Sequence, residues 1–176
     1  MAHRDIATMG ITAFAFLAST TLASAQSVVT GTPATSIEVV TGVMDYDFQG
    51  TGQTMPVAIR ANRSLAGGLS LELGTTFARP DETFGRSTFA APEARLQYAW
   101  RLGRVSPFVA GGGGISAMRA PLTGTDWRMT LLAGGGARVD LTDHVYAVGE
   151  MRLRGVTKHF AASTAEWLGG IGWRFR

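Results

Sequence analysis

The chain has 176 residues, no cysteine, 23 glycines and charged residues at only 16%. The absence of cysteine excludes a disulfide framework, a thiolate metal site and a cysteine nucleophile. The formal charge of +3 comes from arginines spread along the chain with a single lysine, Lys158. Because these cations form no basic cluster, we expect no nucleic-acid partner.

The first 25 residues have the layout of a secretory signal peptide. A short polar start with Arg4 precedes a mostly apolar stretch over residues 6–23, and Ala-Ser-Ala at 23–25 supplies a cleavage site. We expect the mature chain to begin at Gln26 and residues 26–35 to form a flexible lead-in. An N-terminal membrane anchor is the alternative, but the apolar stretch is short for a spanning helix of about 20 residues.

Beyond the lead-in, eight runs alternate between apolar and polar residues with the period of two typical of a half-buried strand. Turn residues such as Gly67-Gly68 separate the runs, and no segment with helical periodicity lies between them, which excludes βαβ units. The predicted strands cover residues 36–48, 54–65, 69–77, 87–100, 106–118, 127–139, 144–156 and 163–175.

The alternation gives each predicted strand an apolar and a polar face. In the last strand Trp167, Ile171 and Trp173 share one face, whereas Glu166 and Arg174 lie on the other. A soluble β-sandwich also has one apolar face, and a lipocalin-like barrel would turn that face inward around a dry core. Both soluble folds therefore stay open as alternatives.

Four features favour a membrane barrel over a soluble fold. The polar faces carry Arg, Glu and Gly and almost no Lys, the strand number is even, and the chain is predicted to be exported. Closing the sheet into a barrel gives each backbone N–H and C=O group of the strands a hydrogen-bond partner within the hydrocarbon layer. Aromatic residues gather towards strand ends, as interfacial girdles require; these are Phe48, Phe77, Trp100, Phe108, Trp127, Tyr146, Trp167, Trp173 and Phe175.

Glycine runs at 111–114, 134–136 and 169–172 lie inside predicted strands, where glycine is normally unfavourable. A phosphate-binding loop would need a following Lys-Ser/Thr and a helix, and neither is present. On the inner wall of a small barrel, glycine leaves room for long side chains of neighbouring strands and permits tight curvature.

The exported start, the eight strands, residues 106–114 (SPFVAGGGG) and residues 167–175 (WLGGIGWRF) together resemble the small eight-stranded outer-membrane β-barrels, the OmpA-like and OmpX-like proteins of the porin and opacity type. The similarity covers the whole mature chain as a pattern. It implies an all-β fold, an eight-stranded antiparallel up-and-down transmembrane β-barrel over residues 36–176. We expect no peptidoglycan-binding domain after this barrel.

The resemblance also implies a location and partners. The expected location is the cell outer membrane of a Gram-negative bacterium, with outer-membrane lipid and lipopolysaccharide as neighbours and the chain as a monomer. The barrel assembly machinery and periplasmic chaperones are expected to handle it. In that family a terminal aromatic is read by the assembly machinery; here Trp173 and Phe175 are the corresponding signal, with Phe175 penultimate.

Closing the strands turns the polar faces into the lumen. Antiparallel pairing about a loop near residue 83 places Glu72 opposite Arg95, and pairing about 158–160 places Arg152 opposite Glu166. The sequence predicts a lumenal charge network of Glu38, Arg60, Glu72, Glu93, Arg95, Arg138, Glu150, Arg152, Arg154, Glu166 and Arg174. A barrel of this size can be filled by its own side chains, so we expect a polar plug, with a charge-gated pore as the alternative.

Catalysis is not expected. The nearest approaches to a catalytic pair are His159 with Ser163 and His144 with Glu150, and no Gly-x-Ser-x-Gly elbow is present. We therefore predict no catalytic, cofactor-binding or metal-binding residues.

The expected function is structural, in envelope integrity and surface presentation. The alternatives are a narrow pore, a soluble lipocalin-like carrier, or a surface adhesin or resistance factor. An adhesin would use the outward loops predicted near residues 49–53, 79–86, 119–126 and 157–162.

Overall fold

The computed structural model describes residues 34–47, 51–82, 85–120, 124–156 and 162–175. The predicted signal peptide and almost all of the lead-in lie outside this part of the chain. No helix within the described ranges is long and apolar enough to cross a membrane. The strands are β1 (Thr35–Asp47), β2 (Thr51–Thr54), β3 (Val57–Ser64), β4 (Leu69–Ala78), β5 (Asp81–Glu82), β6 (Gly85–Arg86), β7 (Thr88–Ala99), β8 (Val105–Ala120), β9 (Gly124–Asp140), β10 (Val145–Val156) and β11 (Ala162–Phe175).

The long strands form one closed antiparallel sheet. Each pairs with its neighbour in sequence, and β11 also pairs with β1. β2 and β3 act as a single barrel strand, because Met44 pairs with Thr54 and Thr41 with Val57 in one continuous register. The interruption falls at Pro56, which has no backbone N–H to donate. The predicted eight-stranded antiparallel barrel is therefore confirmed, with strand ends within three residues of those predicted.

The two ends of the barrel differ in their connections. At the short-turn end, where β1 begins and β11 ends, residues 65–68, 100–104 and 141–144 join neighbouring strands. At the opposite loop end, β5 and β6 form a separate small hairpin between β4 and β7. The loop predicted over 119–126 is mostly strand, because β8 ends at Ala120 and β9 starts at Gly124. Residues 157–161 of the last predicted loop lie outside the described residues.

The alternating pattern separates an apolar outer wall from a polar interior. Ile59, Leu73 and Ile171 are 53%, 54% and 60% exposed, whereas Arg60 and Glu72 are each 1% exposed. Successive side chains in a strand point to opposite faces, so this parity holds along each strand. The apolar face therefore points outward, and the lipocalin-like assignment with a dry apolar interior is wrong.

Two aromatic residues assigned to the outer girdles lie inside the barrel. Phe108 and Tyr146 are buried, and the Arg138 guanidinium carbon lies 4.8 Å from the Phe108 ring centroid. Both have the parity of the inward face, which decides their direction whatever their distance from the strand end. Trp173 and Phe175 do lie on the outer wall at the short-turn end, about half exposed.

Two inward glycines, Gly172 and Gly134, leave space that long side chains of neighbouring strands occupy. A Cβ on Gly172 would lie 2.2 Å from Cζ of Tyr146, and one on Gly134 would lie 2.7 Å from Cβ of Arg152. Gly149, which points outward, has no atom within 4 Å of the same position. The predicted steric explanation therefore applies to Gly172 and Gly134, whereas a Cβ on Gly112, Gly114 or Gly136 would meet backbone atoms of the neighbouring strand.

Candidate functional site

The interior of the described barrel concentrates buried charge. Fully or nearly buried there are five acidic and five basic side chains, Glu38, Glu72, Glu93, Glu150, Glu166, Arg60, Arg95, Arg138, Arg152 and Arg154. Their formal charges cancel, as a low-dielectric interior requires of charges that cannot reach water. Contacts divide them into two clusters, which we call the first and second cluster.

The first cluster centres on Arg95 of β7, which donates hydrogen bonds to Glu72 of β4 and to Glu150 of β10. Arg60 of β3 joins it, with Nη1 donating to Glu150 Oε2 at 2.5 Å and lying 3.8 Å from Glu38 Oε2. Five strands therefore contribute to this network, and Glu150 is shared by two guanidinium groups. Bonds between ionised partners are the strong class of hydrogen bond.

On the side of the short-turn end, the last member of the first cluster is Arg138, which packs against two aromatic rings. Arg138 donates from Nε to Glu38 Oε1 at 2.8 Å, and its guanidinium lies beside the rings of Phe108 and Tyr146. The Tyr146 hydroxyl donates to the same Glu38 oxygen at 2.8 Å. The two inward aromatic rings thus flank the end of the cluster, and the Tyr146 hydroxyl gives Glu38 Oε1 a second donor beside Arg138.

The second cluster lies nearer the loop end and joins β7, β10 and β11. Arg152 bridges Glu93 and Glu166, each at 2.5 Å, and its Nη2 also donates to Thr76 Oγ1 at 2.6 Å. Arg154 contacts the same two carboxylates at 2.8 and 3.1 Å. Two arginines and two glutamates therefore alternate around a closed ring of contacts.

Apolar side chains fill the interior on either side of the charges. One group lies towards the short-turn end and contains Val40, Ala58, Phe108, Tyr146, Val148 and Leu168. The other lies towards the loop end and contains Met44, Tyr46, Ala78, Phe89 and Ala91. Buried apolar side chains therefore lie on both sides of the charge clusters in the described interior.

The structure places the predicted lumenal residues in two situations. Ten of them form the two clusters, including the predicted pairs Glu72–Arg95 and Arg152–Glu166, which are direct neighbours in register. Arg174 lies instead at the barrel mouth, 27% exposed, where its Nη2 is 2.6 Å from Asp140 Oδ1. Arg174 lies in the last pair of residues of β11, at the short-turn end of the barrel, and Asp140 was not among the predicted residues.

Several uncharged polar residues of the interior were missed by the sequence argument. Asn62 is 6% exposed and neither of its amide atoms has a protein partner, and Gln97 Nε2 and Thr130 Oγ1 also lack one. Buried polar atoms of this kind are usually satisfied by bound water. Their inward parity was visible in the sequence, but only charged residues had been selected from the polar faces.

The arrangement does not assemble the catalytic pair considered from the sequence. Glu150 is committed to two guanidinium groups inside the barrel, whereas His144 lies in the turn at the short-turn end, with its ring 5.9 Å from that of Trp173. His159 lies outside the described residues. No group of three or more His, Cys, Asp or Glu side chains in the described ranges could hold a metal ion.

This combination of a closed barrel, an apolar outer wall and a charged interior is the fold of the small eight-stranded outer-membrane β-barrels. Among solved structures, the chain is similar to neisserial surface protein A, with a TM-score of 0.70 and 13% identity over 81% of this chain and 99% of that one. No protein-family model and no curated protein matches the sequence.

Two further solved structures have the same fold. Ail, the attachment invasion locus protein of Yersinia pestis, solved with the heparin analogue sucrose octasulfate, gives a TM-score of 0.61 at 13% identity over 82% of this chain and all of that one. The N-terminal β-barrel domain of Pseudomonas aeruginosa OprF gives 0.57 at 14% identity over 81% and 97% of the two chains. At these identities the likeness establishes the fold alone.

Proposed function

We propose that the chain is a transmembrane barrel of a bacterial outer membrane whose lumen is plugged by its own ion pairs. Its role is then structural, in envelope integrity and in presenting the loop end at the cell surface. The observation that carries the proposal is the exact cancellation of five buried positive and five buried negative charges. A pore selective for ions would instead line its path with an excess of one sign.

The outer wall supports the membrane location. Large apolar side chains such as Val39, Leu73 and Leu153 are about half exposed on several strands, and a soluble monomer rarely exposes a continuous apolar surface of this extent. The pairing of β11 with β1 closes the sheet around the barrel, as a sheet in hydrocarbon requires. In this setting Trp173 and Phe175 meet the lipid interface and are positioned to serve as the assembly signal.

The clusters resist opening because each charge depends on its partners. Moving one arginine out of the lumen would leave carboxylates buried without a cation, at a cost of about 3–5 kcal/mol. Arg95 and Arg152 each contact two carboxylates, so a passing ion would have to displace several bonds together. We therefore expect the wild-type barrel to conduct negligibly.

The experiment compares wild-type protein with the double variant Glu72→Ser/Arg95→Ser in planar bilayers. The variant keeps the lumen neutral while removing two long side chains from the first cluster, so we expect it to give resolved current steps that wild type lacks. The control, Asp81→Ser/Arg86→Ser, removes an exposed ion pair of the β5–β6 hairpin and is expected to behave as wild type. All three should show heat-modifiable mobility in SDS gels if they form barrels.

A narrow pore is the second candidate, and the unpartnered polar atoms of Asn62 and Gln97 favour it because they indicate water inside the barrel. It predicts wild-type current steps comparable to those of the Glu72→Ser/Arg95→Ser variant. That result would contradict the plug. Recovery of the protein in the soluble fraction, with no mobility change on boiling, would contradict the membrane location itself.

A further inference from the structure

A cavity of about 590 Å³ opens at the short-turn end of the barrel. It lies between the 100–104 and 141–144 turns and the end of β11. One lining residue, Arg174, packs against Tyr146, whose ring centroid lies 4.5 Å from the Arg174 guanidinium. Neither charge cluster supplies a lining residue of the cavity.

The cavity walls carry more positive than negative charge. Arg101, Arg104 and Arg174 face two carboxylates, Asp140 and Asp143. Arg174 and Asp140 pair with each other at 2.6 Å, whereas Arg101 and Arg104 are exposed and form no ion pair with any residue in the described ranges. Among the lining residues, two guanidinium groups are thus free to bind an anion, and Asp143 is the one carboxylate that is not paired with Arg174.

The backbone fixes the turn that carries these two arginines. Gly103 has a φ of 66°, a conformation that L side chains rarely adopt, and it reverses the chain between Arg101 and Arg104. The N–H of Asp140 donates to the Arg104 carbonyl at 2.8 Å, which ties the turn to β9. Both arginines therefore come from a short, anchored segment rather than a free loop.

Hydroxyl groups complete the donor set. Thr142 Oγ1 accepts from the backbone N–H groups of His144 and Val145, at 3.2 and 2.9 Å, so its own proton is available to a ligand. Ser106 lines the same cavity. Arginine forks match the oxygens of a phosphate group, and serine and threonine hydroxyls add neutral donors to it.

We propose that this cavity binds a phosphate group, with Arg101 and Arg104 as its main ligands and Ser106 and Thr142 as supporting donors. Two sources have this chemistry, a phospholipid headgroup and a phosphate-bearing solute. The adjacent Tyr98 and Trp100 rings, 5.0 Å apart, are of the type found at headgroup depth. The lipid source rests on the proposed membrane location, whereas the solute source does not.

The test uses the full chain folded in detergent and two lipids with the same acyl chains, phosphatidylglycerol and a galactosyl diacylglycerol without phosphate. Native mass spectrometry measures lipid retention, and a titration with glycerol 3-phosphate measures the solute. We expect wild type to bind at least one phosphate compound about tenfold more tightly than its phosphate-free counterpart, galactolipid or glycerol. Arg101→Gln/Arg104→Gln should abolish that preference.

The control variant Arg79→Gln/Arg119→Gln makes the same charge change at the loop end, on two exposed arginines, and should retain the wild-type preference. If wild type binds glycerol 3-phosphate but retains the two lipids equally, the ligand is a phosphate-bearing solute. If it retains phosphatidylglycerol preferentially but does not bind glycerol 3-phosphate, the ligand is a lipid headgroup. Equal retention of both lipids by wild type with no glycerol 3-phosphate binding would overturn the proposal. So would an unchanged preference in Arg101→Gln/Arg104→Gln. If that variant does not fold, the comparison of phosphate-bearing and phosphate-free compounds on wild type still tests the proposal. The bilayer and gel experiments test the proposed function separately.

Discussion

Replacing Arg152 with methionine is expected to lower the free energy of unfolding by about 3–5 kcal/mol. Methionine fills much of the volume, so the loss is electrostatic: Glu93 and Glu166 are left with Arg154 as their shared cation, and Thr76 loses a donor. Urea-induced unfolding of the barrel in lipid vesicles, followed by tryptophan fluorescence, measures the change.

Two further variants separate this explanation from a general effect of removing arginine. Arg86→Met breaks an ion pair whose side chains are 66% and 73% exposed, and it should cost less than about 1 kcal/mol. Arg152→Met/Glu166→Gln restores one cation to one carboxylate in the second cluster and should recover part of the lost stability. Equal losses from Arg152→Met and Arg86→Met would show that burial of the second cluster contributes nothing.

Gly172→Ala is expected to destabilise the barrel by about 1–3 kcal/mol, although it adds a single methyl group. The new Cβ would lie 2.2 Å from Tyr146 Cζ. Tyr146 cannot easily retreat, because its hydroxyl donates to Glu38 and its ring packs against Arg174. The same unfolding assay, together with the fraction of protein that reaches the SDS-resistant form, measures the effect.

The matched change is Gly149→Ala, on the outer wall of β10, where the added methyl group meets nothing within 4 Å. Its effect should stay within about 0.5 kcal/mol, as for surface substitutions in general. In a Tyr146→Leu background, Gly172→Ala should cost clearly less, since the ring that it meets is gone. An undiminished cost in that background would place the strain elsewhere than at Tyr146.

The sequence was sufficient for those features that depend on parity and on neighbouring strands. A period of two assigned Arg60 and Glu72 to the interior, and short-range antiparallel pairing placed Glu72 beside Arg95. Parity also explains the error for Phe108 and Tyr146, because nearness to a strand end was given more weight than the face on which each residue lies. Position along a strand does not decide which side of the wall a ring occupies.

Contacts across the barrel could not be predicted in the same way. Arg60 meets Glu150 although 90 residues separate them, and Arg138 meets Glu38 across 100 residues. These pairs depend on the closure between β1 and β11 and on the stagger accumulated around the sheet. Neither the closure nor the stagger is visible in the residues of a single strand. The division of the charges into two clusters could therefore not be predicted from the sequence.

The location of each charge along the chain also bears on the order in which the barrel is assembled. The four buried charges of the β10–β11 hairpin, Arg152 and Arg154 with Glu150 and Glu166, cancel within the hairpin itself. The β8–β9 hairpin brings Arg138 without an acidic partner of its own, and that partner, Glu38, lies on β1. Arg138 therefore gains its carboxylate partner only when the first strand is in place, which couples this electrostatic gain to the final closing of the cylinder.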